Sequence, residues 1–301
     1  MEKLLAYAVS KGVHPFVWYN SNGGWNDAPQ CAKQRMYSPI VRKKEMKWLM
    51  ENGVKGIKVD FFAGDKQETI KLYEQILSDA NDYGLQVIFH GCTLPRGWER
   101  MYPNYVSSEA VLASENLVFS QHFCDQFPFN ATLHPFCRNA VGSMEFGGTF
   151  LQKRLNRGNN GGTRRKTGDI FELATAIAFQ SAVQNFALTP MCLDEKVTPK
   201  FEIDFMRQVP TLWDETCFID GYPGKYIVLA RKSGTKWYVC AMNGTKETLD
   251  INVPLPMLAS QQVTLLTDGA DGKTPSSQQI TLDKKGTLKA QIAPACAVVV
   301  F

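Results

Sequence analysis

Apolar positions in the first two thirds of the chain follow two alternating rhythms. Short apolar runs, "HPFVWYN" (14–20), "GIKVDFF" (56–62) and "LQVIFHG" (85–91), predict buried strands. Between them lie runs with helical spacing. "MEKLLAYAVSKGV" puts Leu4, Leu5, Ala8 and Val9 on one face, and "KQETIKLYEQILSDANDYG" does the same with Ile70, Tyr73, Ile76, Leu77 and Ala80 before stopping at Gly84. "SPIVRKKEMKWLMENG" opens on Ser38-Pro39, an N-cap and first-turn pair, and stops at Gly53. "YVSSEAVLASE" predicts a further strand. A βα-like unit is expected from "HPFCRNAVGS" into "GDIFELATAIAFQSAVQNF", where Asp169 and Glu172 have capping-box spacing. "ALTPMCL" predicts a last strand and "TPKFEIDFMRQV" a last helix.

Strands alternating with helices of this length predict a parallel sheet with helical crossovers, either a barrel or a doubly wound sheet. No G-x-G-x-x-G turn and no P-loop is present, which favours the barrel. After Trp213 the rhythm changes to short alternating runs punctuated by Ser-Gly, Asn-Gly and Asp-Gly, the pattern of an antiparallel β module. The expected division is 1–215 for the α/β part, a (β/α)8-type TIM barrel, and 216–301 for an all-β sandwich.

Composition narrows the function classes. The 301 residues are 44% hydrophobic and 21% charged, an ordinary globular balance. A net charge of +4 gives no reason to invoke nucleic acid. The basic loop "RLNRGNNGGTRRKTG" (154–168) lacks a stacking platform and reads first as a solvated connection, second as a lid. The eight cysteines have no metal-site spacing and read as free, mostly buried thiols. No apolar run is long enough to span a bilayer, and the start is not a signal peptide.

Barrel enzymes carry their chemistry at the C-terminal ends of the strands. The strand ends read here are Trp18, Tyr19 and Asn20, then Asp60, His90, Glu109 with Glu115, and finally His134 with Arg138. An acid at the end of Ile57-Lys58-Val59 is costly to bury unless something compensates it. Taken alone, Asp60 fits a turn cap as well as a catalyst, Glu115 a solvated loop acid, and His90 a core histidine. Trp25 and Trp98 fit packing residues or sugar platforms. Two acids on different strand ends of one rim are what glycoside hydrolysis uses.

The motifs "GVKGIKVDFF…DKQ", "FHGCTLPRGWERMYPN", "SSEAVLASEN" and "HPFCRNAVGSMEF", in this order, resemble glycoside hydrolase family 97. The resemblance implies a calcium-dependent exo-acting α-glycosidase, its (β/α)8 barrel set between an N-terminal β-sandwich and a C-terminal β domain. Inverting members of the family place a glutamate base on the fifth strand, where this chain has Gly91. Asp60 matches the nucleophile of the retaining branch, with α-galactosidase the leading activity. The alternatives are an α-glucosidase, a hydrolase for another galacto-configured pyranoside, and a non-catalytic sugar-binding remnant.

The resemblance further implies Glu115 as acid/base, with the two carboxyls roughly 5–5.5 Å apart. It makes Glu109 and Glu115 ligands of Ca²⁺, and Lys58, His90, Arg96 and Trp98 substrate-binding residues. Family members have two more barrel strands before "LLAYAVSKGV", so the chain is expected to be an N-terminally shortened form. Its missing N-terminal domain or another chain would complete the barrel. An α-linked oligosaccharide is the implied substrate, and the periplasm or a bacterial cell surface the implied location.

Overall fold

The computed structural model describes residues 1–22 and 26–301. Contacts divide these into two compact units, the first made of 1–111, 141–145 and 181–183, the second of 112–140, 146–180 and 184–301.

The first unit opens with helix α1 (Glu2–Ser10), strand β1 (Phe16–Asn20), α2 (Pro39–Glu51) and β2 (Gly56–Asp60). It continues with α3 (Gln67–Asp82), β3 (Gln86–Phe89) and β4 (Tyr105–Ser108). The strands form one parallel sheet in the order β1-β2-β3-β4. Met144 adds an isolated parallel bridge to Ser108 at the β4 edge. Sequence order and spatial order coincide, and each of the first two crossovers carries a single helix, as parallel neighbours need. The helix predictions hold here. Pro39 occupies the first turn of α2, and Gly53 and Gly84 take the left-handed backbone that ends α2 and α3. Leu72, Tyr73, Ile76, Leu77 and Ala80 of α3 pack with Ile57, Val59, Val87 and Phe89 of the sheet in one core. On α1 only Leu5 is buried, and Leu4 and Tyr7 remain exposed.

In the second unit, α4 (Glu115–Phe119) and α5 (Gln121–Val141, to residue 140 within this unit) precede β5 (Gly148–Thr149). Helix α6 (Asp169–Ala178) is buried at every position. The two-residue β6 (Asn185–Phe186) pairs in parallel with β5, and α7 (Lys200–Gln208) follows. The run "HPFCRNAVGS" is not a strand. His134 and Arg138 lie in α5, a helix that continues through Pro128 and Pro135. Residues 190–193 of "ALTPMCL" form a 3-10 turn instead of a strand.

The β module of this unit comprises β7 (Glu215–Tyr222), β8 (Tyr226–Ser233), β9 (Lys236–Asn243), β10 (Leu249–Pro254), β11 (Gln262–Thr267), β12 (Ser276–Thr281), β13 (Thr287–Ile292) and β14 (Ala297–Val300). Six strands form an antiparallel sheet in the order β12-β11-β14-β9-β8-β7, and β10 pairs with β13. Val228, Val239 and Val298 from the large sheet share one core with Ile251, Val253 and Leu288 from the small one, as in a β-sandwich.

The basic loop 154–168 is more than a solvated connection. Arg165 is buried and donates to the carbonyls of Leu151, Gln152, Thr167 and Gly168, while its guanidinium pairs with Asp169. All eight cysteines are free, with Cys31 and Cys137 exposed. Among the described residues no helix is long and apolar enough to cross a membrane.

Candidate active site

The acid that the sequence places at the end of a buried strand is itself buried, Asp60 being 8% exposed. Its compensation is local. The Phe61 backbone N–H donates to Oδ1 at 2.5 Å, and the indole Nε1–H of Trp18 donates to Oδ2 at 3.1 Å. Trp18 comes from the neighbouring strand, where it pairs in register with Lys58. So the turn-cap reading and the rim-acid reading of Asp60 describe the same carboxylate.

Lys58 lies two residues earlier on β2 and so shares a face with Asp60. Its Nζ donates to Glu145 Oε1 at 3.0 Å. The other oxygen of Glu145 is 2.6 Å from His90 Nδ1, and His90 Nε2 is 3.3 Å from Glu109 Oε1. Glu109 Oε2 accepts the Gly91 N–H at 2.7 Å. A chain of alternating charge, Lys58–Glu145–His90–Glu109, therefore runs across the ends of β2, β3 and β4, with Asp60 beside it.

Burial alone would push the His90 imidazole down. Its hydrogen bond to Glu145 and the nearby carboxylates outweigh burial and the Lys58 charge, and its pKa is pushed up to about 9. Burial likewise works to raise Glu145, but His90 and Lys58 together hold it below the usual carboxylate range. At neutral pH His90 is thus an imidazolium held by the Glu145 carboxylate. Buried charge clusters of this kind are weak sources of stability, which makes a functional use the better explanation.

Glu145 was not singled out by sequence reasoning, although it shows the same signal as Asp60: an acid inside an apolar run, Met144-Glu145-Phe146. Trp98 is corrected. It is 2% exposed and packs on Tyr73, Phe89 and Tyr105, so no ring face is open to a sugar. Arg96 is exposed and bonds Asp65 and Thr93. His134 sits in α5 as a core histidine, where burial and then Arg138 push it down to about 4. Trp25 lies outside the described residues.

Glu115 is exposed as the first residue of α4 and belongs to the second unit, whereas Asp60, Lys58, His90, Glu109 and Glu145 belong to the first. Within the first unit the expected calcium site offers one carboxylate, Glu109, beside an imidazole. Calcium takes about six to eight oxygen ligands, of which Glu109 can supply one or two.

Residues 1–111 match the family model described as "Glycoside hydrolase 97", and residues 212–300 match "Glycosyl-hydrolase 97 C-terminal, oligomerisation". The chain belongs to glycoside hydrolase family 97. A probable retaining alpha-galactosidase of Streptomyces bingchenggensis is 31% identical over 90% of the chain and 38% of its own length. The retaining alpha-galactosidase of Bacteroides thetaiotaomicron is 29% identical over 98% of the chain and 43% of its own length. A solved beta-arabinopyranosidase is 58% identical, with a TM-score of 0.96, over the whole chain and 47% of its own length. The chain thus spans less than half the length of each of these relatives.

Proposed function

We propose that this chain carries the nucleophile and sugar-holding residues of a retaining exo-glycosidase for galacto-configured pyranosides, with a β-L-arabinopyranoside as preferred substrate. The observation that supports the reaction is Asp60. It is a buried carboxylate at a strand end, held at both oxygens by N–H donors and facing a residue without a side chain at position 91. In this reading the four parallel strands are an arc of a (β/α)8 barrel, and the site lies at the end of the sheet where such barrels do their chemistry.

The substrate follows from the relatives and from stereochemistry. A β-L-arabinopyranoside is an α-D-galactopyranoside ring without the hydroxymethyl group at C5. Read as the β-L sugar, the arabinosidase's name describes the same ring configuration as the names of the two galactosidases. The greater identity to the arabinosidase puts the arabinoside first.

In the first step an Asp60 oxygen bonds to the anomeric carbon, the glycosidic C–O bond breaks, and Glu115 gives its proton to the leaving oxygen. Water then attacks the same carbon, Glu115 takes its proton, and the Asp60 ester bond breaks. Two inversions give net retention. Lys58 and His90 bind sugar hydroxyls. Calcium is part of this reading, with Glu109 and Glu115 as the carboxylates that would hold it. The periplasm or cell surface is the location the family pattern suggests.

The test is hydrolysis of the p-nitrophenyl glycosides of β-L-arabinopyranose, α-D-galactopyranose and α-D-glucopyranose by the intact protein, with product anomers followed by NMR. The expected order is arabinoside, galactoside, then glucoside, with retention and with all turnover lost in Asp60→Ala. Preference for the glucoside, or an active Asp60→Ala variant, would overturn the reading.

A further inference from the structure

Asp60 acts as a nucleophile only if its carboxylate is aimed, and three neighbours of different kinds fix where it points. The first is Phe61. It holds a left-handed backbone at φ +64°, an outlier for a bulky side chain. Ser21 Oγ at 3.0 Å and Asn26 Nδ2 at 2.9 Å both donate to its carbonyl, and its ring meets Trp18 edge-on at 5.9 Å. Held in this way, Phe61 gives its N–H to Asp60 Oδ1.

The second neighbour is Trp18, whose indole N–H is the donor to Oδ2 at 3.1 Å. The third is Gly91. A Cβ built there would stand 2.8 Å from Asp60 Oδ1 and 3.1 Å from the Phe61 nitrogen. Any side chain at 91 must displace the carboxylate or the strained turn that holds it.

We propose that Trp18 and Gly91 are positioning residues for Asp60, the indole N–H by holding Oδ2 and the glycine by leaving Oδ1 its place. The proposal deepens the function given above and rests on Asp60 as nucleophile. It also gives position 91 a steric role: a side chain there, an acidic one included, is incompatible with the Asp60 conformer seen here. Neither residue is assigned a contact with the sugar, so both should act on the chemical step and leave binding alone.

Trp18→Phe keeps the ring against Phe61 and removes only the N–H. Losing one hydrogen bond to a charged group corresponds to about a 10- to 100-fold change. In the intact protein, with p-nitrophenyl β-L-arabinopyranoside as probe, kcat should fall by about that factor. KM should not move. Gly91→Ala should lower kcat in the same way, and a left-handed alanine costs little enough for the variant to fold.

Unchanged kcat in both variants overturns the proposal. So does a raised KM with kcat intact in Trp18→Phe, because that pattern marks an indole that binds substrate. Asp60→Ala separates the two levels of the argument. An active Asp60→Ala sinks the nucleophile itself, whereas an inactive one beside fully active Trp18→Phe and Gly91→Ala sinks only the positioning.

Discussion

Glu145 holds two cationic side chains with one carboxylate, Lys58 through Oε1 and His90 through Oε2. Glu145→Gln keeps the shape and removes the charge, and since the carboxylate is what raises His90, the imidazole should titrate well below its native value of about 9. An NMR titration of the His90 ring measures this, and an unmoved midpoint would refute the assignment. Catalytic efficiency should fall with it, because both sugar-holding groups lose their orientation. Asp60 was legible at this scale because an acid after Ile57-Lys58-Val59 has to be explained. Glu145 carried the same mark, but its partners lie 55 and 87 residues away, so nothing nearby told it from a loop acid. Trp98 misled in the opposite direction. Standing between Gly97 and Glu99 it looks exposed, yet a 3-10 turn folds it into the aromatic core.

Helix α6 shows what a local window misses. Asp169 and Glu172 have the spacing of a capping box, but Asp169 is already the first helical residue and Gly168 is the N-cap. The acceptor for the first N–H groups is Asp268, in the β module, bonding Ile170 at 2.8 Å and Phe171 at 3.1 Å and also the Ala297 N–H at 3.0 Å. Gly168 is required for this, since a Cβ there would overlap the Asp268 carboxyl. Asp268→Ala should cost about 3 kcal/mol, the sum of a lost cap and buried N–H groups left without acceptors. Faster hydrogen exchange at residues 170, 171 and 297 should accompany the loss, and unchanged exchange there would count against the cap. The α2 and α3 boundaries were readable because Pro39, Gly53 and Gly84 are local signals. Helix α5 was not, because Pro128 and Pro135 read as breaks while packing carries the helix through them.

Across the whole molecule, three buried acids set the main direction of pH dependence, and His134, pushed down to about 4, opposes them only below its ordinary range. Burial pushes Glu202 up to about 8, Glu172 to about 7 and Asp268 to about 6. Both carboxyl oxygens of Glu202 are buried without a hydrogen-bond partner among the described residues, as suits a protonated acid. Acids raised on folding bind more protons folded than unfolded. Stability therefore falls as the pH rises from the unfolded carboxyl range through about 8, and the raised His90 extends the fall through about 9. Thermal midpoints should drop steadily between pH 5 and pH 9 (~4 units of pH spanning these transitions). Glu202→Gln should flatten the fall, matching the native protein near pH 5 and exceeding it at the alkaline end; parallel curves would remove Glu202 as a cause. The broad plan, parallel α/β followed by antiparallel β, was legible because the change of rhythm after Trp213 is a property of whole segments. The grouping into compact units was not, since it depends on which residues touch. The Asp268 cap has a consequence for lineage and for engineering. Residues 212–300 match a family segment of their own, yet they donate the acceptor that closes a helix lying outside both matched segments. Exchanging this β module between relatives would leave α6 with bare N–H groups unless the incoming cassette also carried an acid at 268 and its host a glycine at 168. The two positions should be inherited as a pair.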